Sequence, residues 1–179
     1  VSIIDTYESF IWTDRYCEYG DFELYTMMTN TVLGFIKQDY YVMNRDSEHV
    51  MIIEKIQITS DAENGNHVTV TGRSLESILN RRIVWGQKII TGNLQNGIKT
   101  LLMDAIISRS DSSRQISNFV FEASTDPAIT NLTIDAQYTG DNLYDVISKL
   151  CSERNIGFRI TLNDQKQFVF KLYAGTDRS

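Results

Sequence analysis

The sequence predicts an α+β protein in two parts, a small β-barrel over residues 1–92 followed by a small α+β domain over residues 93–179. Three observations predict it. Residues 50–59 carry the period of two that marks a strand, with Val50, Ile52, Glu54, Ile56 and Ile58 expected on one face and Met51, Ile53, Lys55, Gln57 and Thr59 on the other. Ten of the nineteen aromatic residues precede residue 42, the density of a compact β core. After Gly92 the period becomes helical, with Leu94, Ile98, Leu101, Leu102, Ala105 and Ile106 on one stripe.

Residues 4–12 and 21–27 are rich in aromatic and β-branched side chains and predict two strands joined by Tyr19-Gly20-Asp21 turn chemistry. Residues 32–36 predict a helical turn. The strand at 50–59 returns through an Asn64-Gly65 hairpin signal into residues 67–71. Residues 83–90 predict a further strand, broken at Gly86, which completes a meander most economically folded as a small barrel. Between them lies GRSLESILNRR, residues 72–82. Leu75, Ile78 and Leu79 fall on one face of a short helix, Ser74 suits its N-cap, and Arg81 and Arg82 suit the negative end of its dipole.

In the second part, Asn93 is a suitable cap for the helix that follows it. The polar residues 108–115 predict a loop, residues 118–122 a strand, Pro127 another loop and residues 132–136 a short strand. Leu143, Val146, Ile147, Leu150 and Cys151 form the stripe of a second helix, with Asp141 as the expected cap and Asn155-Ile156-Gly157 as its end. Residues 158–162 and 168–173 alternate as a hairpin joined at residues 163–167.

The net charge of −6 argues against a general nucleic-acid binder. That charge is uneven: residues 1–65 carry −8, residues 66–118 carry +4, and the remainder −2. Such asymmetry suits head-to-tail association of copies, although uneven solvated charge is the commoner cause. No apolar run reaches the ~20 residues that span a bilayer, and no signal peptide is visible. Because Val1 already sits in strand-like sequence, the chain is expected to be a piece of a longer polypeptide. Cys17 and Cys151 lack CxxC spacing; Cys151 is expected as a buried thiol, and a disulfide is not expected.

Candidate chemistry is sparse. His49 and His67, with Cys17, supply too few ligands for zinc and are expected as partly exposed strand residues. GRSLE is not a GxSxG elbow, because Glu76 replaces the last glycine. No phosphate loop or dinucleotide fingerprint occurs. Glu54, on an apolar face, is expected to pair with Arg73 or Arg82 rather than to act as a catalyst. No catalytic, cofactor-binding or metal-binding residue is expected, and neither is enzymatic activity; a hydrolase using Glu54 or Asp135 lacks a visible paired constellation. Asp14, Arg15, Arg73, Arg81 and Arg82 are candidate interface residues, since arginine forks suit repeated bidentate contacts between subunits. Pairs that pin the barrel's own corners explain them equally well.

Four segments carry a family resemblance: YESFIWTDRYCEYGDFELY (residues 7–25), MIIEKIQI (51–58), GRSLESILNRRIVWG (72–86) and YTGDNLYDVISKLCSERNIGFRI (138–160). Together they resemble the minor tail proteins of siphophages and prophages of Gram-positive bacteria, the tail-associated baseplate-hub family. The resemblance implies a barrel that contributes to a hub ring, with the α+β domain inserted before a second barrel. It implies a homotrimer in the full-length protein, distal tail and tail tube proteins as partners, DNA only as passing cargo, and no membrane in this fragment. It implies a location at the virion tail tip after assembly in the bacterial host cytoplasm, and it brings no cofactor and no catalytic motif. The implied function is structural, linking the tail tube to the host-recognition apparatus. A cell-wall glycan or receptor-binding module of a phage tail is the alternative.

Overall fold

The computed structural model describes residues 3–61 and 65–175. The chain divides into two compact units, Val1–Arg15 with Tyr19–Leu75 and Tyr16–Glu18 with Glu76–Ser179. The division falls after Leu75, ahead of residue 92 where the change of periodicity lies.

The first unit contains β1 (Ser9–Thr13), β2 (Asp21–Met27), α1 (Asn30–Phe35), β3 (Tyr41–Met43), β4 (Val50–Asp61) and β5 (Gly65–Ser74). Its strands form one antiparallel sheet in the order β1-β2-β5-β4-β3. After β2 the chain crosses by way of α1 to the far edge, and β5 later fills the gap between β2 and β4. The Asn64-Gly65 hairpin signal leads into β5, but residues 62–64 lie outside the described residues.

Alternation sets the core face. In β2, Phe22, Leu24 and Thr26 are buried while Glu23 and Met27 are exposed. The register puts Phe22 beside Gly72, Leu24 beside Val70 and Thr26 beside Val68. Met51, Ile53, Val68 and Val70 close the core with Ile36, and Phe10, Trp12 and Val42 pack against it. Burying each Val- or Leu-sized side chain contributes about 1.5–3 kcal/mol. Tyr7, Phe10, Trp12 and Phe22 form an aromatic ladder with successive centroids 5.7, 5.8 and 6.1 Å apart. Gly72 is required by close approach: a Cβ there would lie 1.8 Å from the Ile52 carbonyl oxygen and 2.7 Å from the Phe22 ring.

Two expectations change in this sheet. First, β4 carries a bulge between Ile53 and Lys55. The extra residue shifts the alternation, so Met51, Ile53 and Ile56 share the core, and Glu54 leaves the Ile56 face on which strict alternation would place it. Second, a closed barrel is not seen. Among the described residues β1 and β3 each have one partner, and the sheet is a curled half-barrel. The segment expected to continue the meander contributes instead to a strand of the second unit.

A 3-10 helix, Leu75–Arg81, leads from the first unit into the second, which continues with β6 (Gln87–Asn93), α2 (Leu94–Leu102), a π-helical turn (Met103–Ile107), β7 (Phe119–Glu122), α3 (Pro127–Thr130), β8 (Thr133–Thr139), α4 (Leu143–Ser152), β9 (Ile156–Leu162) and β10 (Phe168–Ala174). β6 pairs with β8, and β7, β10 and β9 form a sheet in that order, with β7 parallel to β10. The Pro127 segment is helical rather than a loop, because proline suits a first helical position and Asp126 accepts from the Ala128 N–H.

Both amphipathic helices bury the expected stripes, Leu94, Ile98, Leu101 and Leu102 in α2 and Leu143, Val146, Ile147, Leu150 and Cys151 in α4. Asn93 caps α2 through the Asn96 N–H at 3.1 Å. The cap of α4 is Asn142, not Asp141: Asn142 Oδ1 accepts from the Tyr144 and Asp145 N–H groups, while Asp141 accepts from the Thr139 N–H. Segment 16–18 packs in this unit, where the Ser148 hydroxyl donates to the Cys17 carbonyl at 2.7 Å and the Tyr16 and Tyr173 rings meet edge-on at 5.2 Å.

Candidate functional site

The expected interface residues resolve into three settings. Asp14 accepts from Trp12 Nε1 at 2.9 Å and from the Ser47 hydroxyl at 2.8 Å, so its contacts are local and neutral. Arg15 donates to the Tyr19 carbonyl at 3.0 Å and lies 3.2 Å from Asp21. Arg73 holds Glu54 in a bidentate pair, with Nε to Oε2 at 2.7 Å and Nη2 to Oε1 at 2.8 Å.

Arg15, Asp21, Glu54 and Arg73 line a concave surface of about 430 Å³ on the first unit. The β2–β5 register places Asp21 opposite Arg73, which is how both arginines come to one surface. The Arg73 guanidinium also lies over the Tyr19 ring, 4.9 Å from its centroid. Hydrogen bonding to Glu54, the largest influence, raises the Arg73 pKa above its ordinary value against the opposing effect of burial. The choice Glu54 makes between Arg73 and Arg82 is therefore settled for Arg73.

Arg81 and Arg82 belong to the second unit; Arg81 ends the 3-10 helix and Arg82 follows it. They meet Arg109 and Arg114, two residues of the polar 108–115 segment whose composition predicts only a loop. These four arginines and Ile83 line a cavity of about 250 Å³. Arg82 Nη1 donates to the Arg81 carbonyl at 3.1 Å and Nη2 to the Arg114 carbonyl at 3.4 Å. Burial, then the charges of Arg109, Arg114 and Arg81, lower the Arg82 pKa. Arg109 lies over the Trp85 ring, 5.7 Å from its centroid, and Trp85 is 67% exposed.

Three other expectations change or sharpen. Ser74 ends β5, and its buried hydroxyl accepts from the Gly20 N–H at 2.8 Å, 54 positions away, rather than from a helix N–H. His49 and His67 are buried, not partly exposed. His67 stacks on Tyr25 at 5.0 Å and meets Glu8 at 2.9 Å. Glu76 is buried, and its Oε1 accepts from the Ile160 N–H at 2.6 Å. Cys17 and Cys151 are free thiols, and burial raises the pKa of both. Among the described residues no group of three His, Cys, Asp or Glu side chains is placed to hold a metal ion.

An open, curled antiparallel sheet in one unit and an α+β arrangement in the other define a fold shared with tail proteins. A prophage tail protein, gp18 from Listeria monocytogenes EGD-e, matches with a TM-score of 0.62 and 15% identity over 95% of this chain and 46% of its own. The E. coli c3393 protein, a type VI secretion component described as structurally similar to the T4 tail proteins gp27 and gp5, matches with a TM-score of 0.54 and 14% identity over 94% of this chain and 46% of its own. The chain thus spans just under half the length of each. No curated protein matches the sequence. The chain belongs to the Siphovirus ReqiPepy6 Gp37-like family, whose pattern matches residues 1–179.

Proposed function

We propose that this chain is a structural part of a phage tail tip, contributing to the baseplate hub that links the tail tube to the host-recognition apparatus. The observation that carries this reading is the tail-protein fold across 95% of the chain, within a siphovirus family. In this proposal the curled half-barrel sheet of the first unit supplies the ring domain, and the second unit supplies an inserted domain. The complete protein is a homotrimer within the virion, assembled in the host cytoplasm. It contacts distal tail and tail tube proteins and passes DNA as cargo. Asp14, Arg15, Arg73, Arg81 and Arg82 supply polar contacts to neighbouring subunits. The role is mechanical and non-enzymatic.

The acidic first third of the sequence would line the passage and repel DNA, keeping it mobile. Negative-stain imaging and mass photometry of the full-length protein test the hub: trimeric rings are expected. A persistent monomer at high concentration, with no ring, would overturn the reading.

The rival reading, a glycan- or receptor-binding module, draws on the exposed aromatics Tyr7, Tyr40 and Tyr41. Saturable binding of the purified chain to isolated cell walls, lost on tyrosine substitution, would favour it.

A further inference from the structure

We propose that the cavity formed by Arg81, Arg82, Arg109 and Arg114 in the second unit is a binding site for a phosphate-type oxyanion. This goes beyond the hub reading, and in it Arg81 and Arg82 hold an anion in place of a neighbouring subunit.

Among the described residues four arginines meet here, and Asp111 is the carboxylate that acts on Arg114 and Arg109. Arg81, Arg82, Arg109 and Arg114 border a space of about 250 Å³. Arg114 has Asp111 as an ion-pair partner at 3.6 Å, with both side chains more than half exposed, where such a pair is weak. The charged neighbours that act on Arg82 are Arg109, Arg114 and Arg81, all of the same sign. Arg82 Nε is buried and meets no hydrogen-bond partner among the described residues, although both its Nη atoms reach carbonyl oxygens. An unsatisfied buried donor lowers stability, the more so on a charged group. An anion in the cavity would relieve the mutual repulsion of these cations.

The number of donors points to the class of anion. A carboxylate has about four lone-pair sites and is matched by one or two arginine forks. Four arginines suit a tetrahedral dianion, with more oxygens and about twice the charge. The cradle is also held in place by local structure. Asp111 accepts from the Ser113 N–H and hydroxyl, which shapes the short 3-10 turn Ser112–Arg114. Gln115 donates to the Arg109 carbonyl. Arg109 lies against Trp85, whose exposure leaves an aromatic surface beside the cavity for whatever carries the phosphate.

The test is isothermal titration of the purified 179-residue chain with inorganic phosphate at fixed ionic strength, set against hexaglutamate and chloride. Saturable phosphate binding is expected, weakened at least tenfold by Arg82→Gln and several-fold by Arg81→Gln or Arg114→Gln, the last two being exposed positions whose loss leaves the fold intact. Lys149→Gln, an exposed cation on α4, should leave the affinity unchanged. A phosphate-dependent change in tryptophan emission should disappear in Trp85→Phe. Absence of saturable binding, equal weakening by Lys149→Gln, or a preference for hexaglutamate over phosphate would each overturn the assignment.

Discussion

Arg73 closes a two-point hydrogen-bonded pair on Glu54, and it does so because a bulge in β4 turns Glu54 out of the strand's regular alternation. The pair joins adjacent strands near the middle of a five-stranded sheet. With side chains 35% and 25% exposed, it is neither a free surface pair nor a buried one. Solvent screening holds its coupling to about 1 kcal/mol, despite the favourable fork geometry. A double-mutant cycle with Glu54→Gln and Arg73→Gln, read by denaturant unfolding, should return that coupling. A value indistinguishable from zero would make the pair a contact without energetic consequence.

Gly72 should be the most restrictive glycine of the first sheet. Gly72→Ala must push a methyl group into the Ile52 carbonyl and the Phe22 ring, at 1.8 and 2.7 Å. Overpacking against backbone is expected to cost about 3 kcal/mol. Gly65, at φ 83° with open space around it, should lose only about 1 kcal/mol as Gly65→Ala, through backbone strain. Thermal unfolding of the two variants separates the mechanisms, and the reverse order would contradict the packing argument.

The cap of α4 distinguishes neighbouring residues. Asn142→Ala removes acceptance from two backbone N–H groups and a donation to the Asn80 carbonyl, and should cost about 1–2 kcal/mol. Asn142→Asp keeps the cap and loses the donation, so it should recover part of the loss. Asp141→Ala should cost less than Asn142→Ala, because its acceptance from Thr139 lies outside the helix. Helical circular dichroism followed through urea unfolding provides the measurement.

Stability should fall at alkaline pH. Burial, the largest influence, pushes the Tyr173 phenol up to about 12 from its ordinary 10.0. The fold therefore favours the neutral phenol. Its contribution is fully present below about pH 10 and is lost as pH rises through about 12. Tyr173→Phe should flatten that decline, and ultraviolet titration should show Tyr173 and Tyr138, both raised by burial, ionising late. Unchanged alkaline behaviour in Tyr173→Phe would remove Tyr173 as its source.

Burial raises the pKa of both thiols, for Cys17 with a further contribution from Glu18. Since the thiolate is the reactive form, native Cys151 should resist an aromatic disulfide reagent at pH 8 and Cys17 should react slowly. Both should react promptly in denaturant. Fast labelling of Cys151 in the folded chain would contradict its burial.

Much of the secondary structure was legible because its cause is local. The β2 strand, the Leu94–Leu102 and Leu143–Ser152 helices and the hairpin of β9 with β10 follow from periodicity and turn chemistry in neighbouring residues. The Asn93 cap was legible for the same reason. The cap of α4 was displaced by one residue because Asp141 and Asn142 are equally good cap chemistry, and only the path of the chain out of β8 separates them. Strand β3, with three residues, is too short to show a period.

The candidate sites were less legible. Glu54 and Arg73 could be suspected of pairing from charge and burial, but the bulge that joins them leaves no period to read. Arg81 and Arg82 stood out as a doublet, whereas Arg109 and Arg114 looked like ordinary residues of a polar loop. Sequence separation hid their meeting, which depends on how the second unit folds.

By itself the sequence determined the period and type of each long element, the two amphipathic stripes and the family to which the chain belongs. Those are properties of adjacent residues and of their order. Tertiary structure decided what lies beside what: β6 pairs with β8 instead of continuing the first sheet, Ser74 meets Gly20, and four arginines gather around one cavity. The physical reason is that strand edges and side-chain charges are satisfied by whichever partner the closed chain brings within a few ångströms, however distant in sequence.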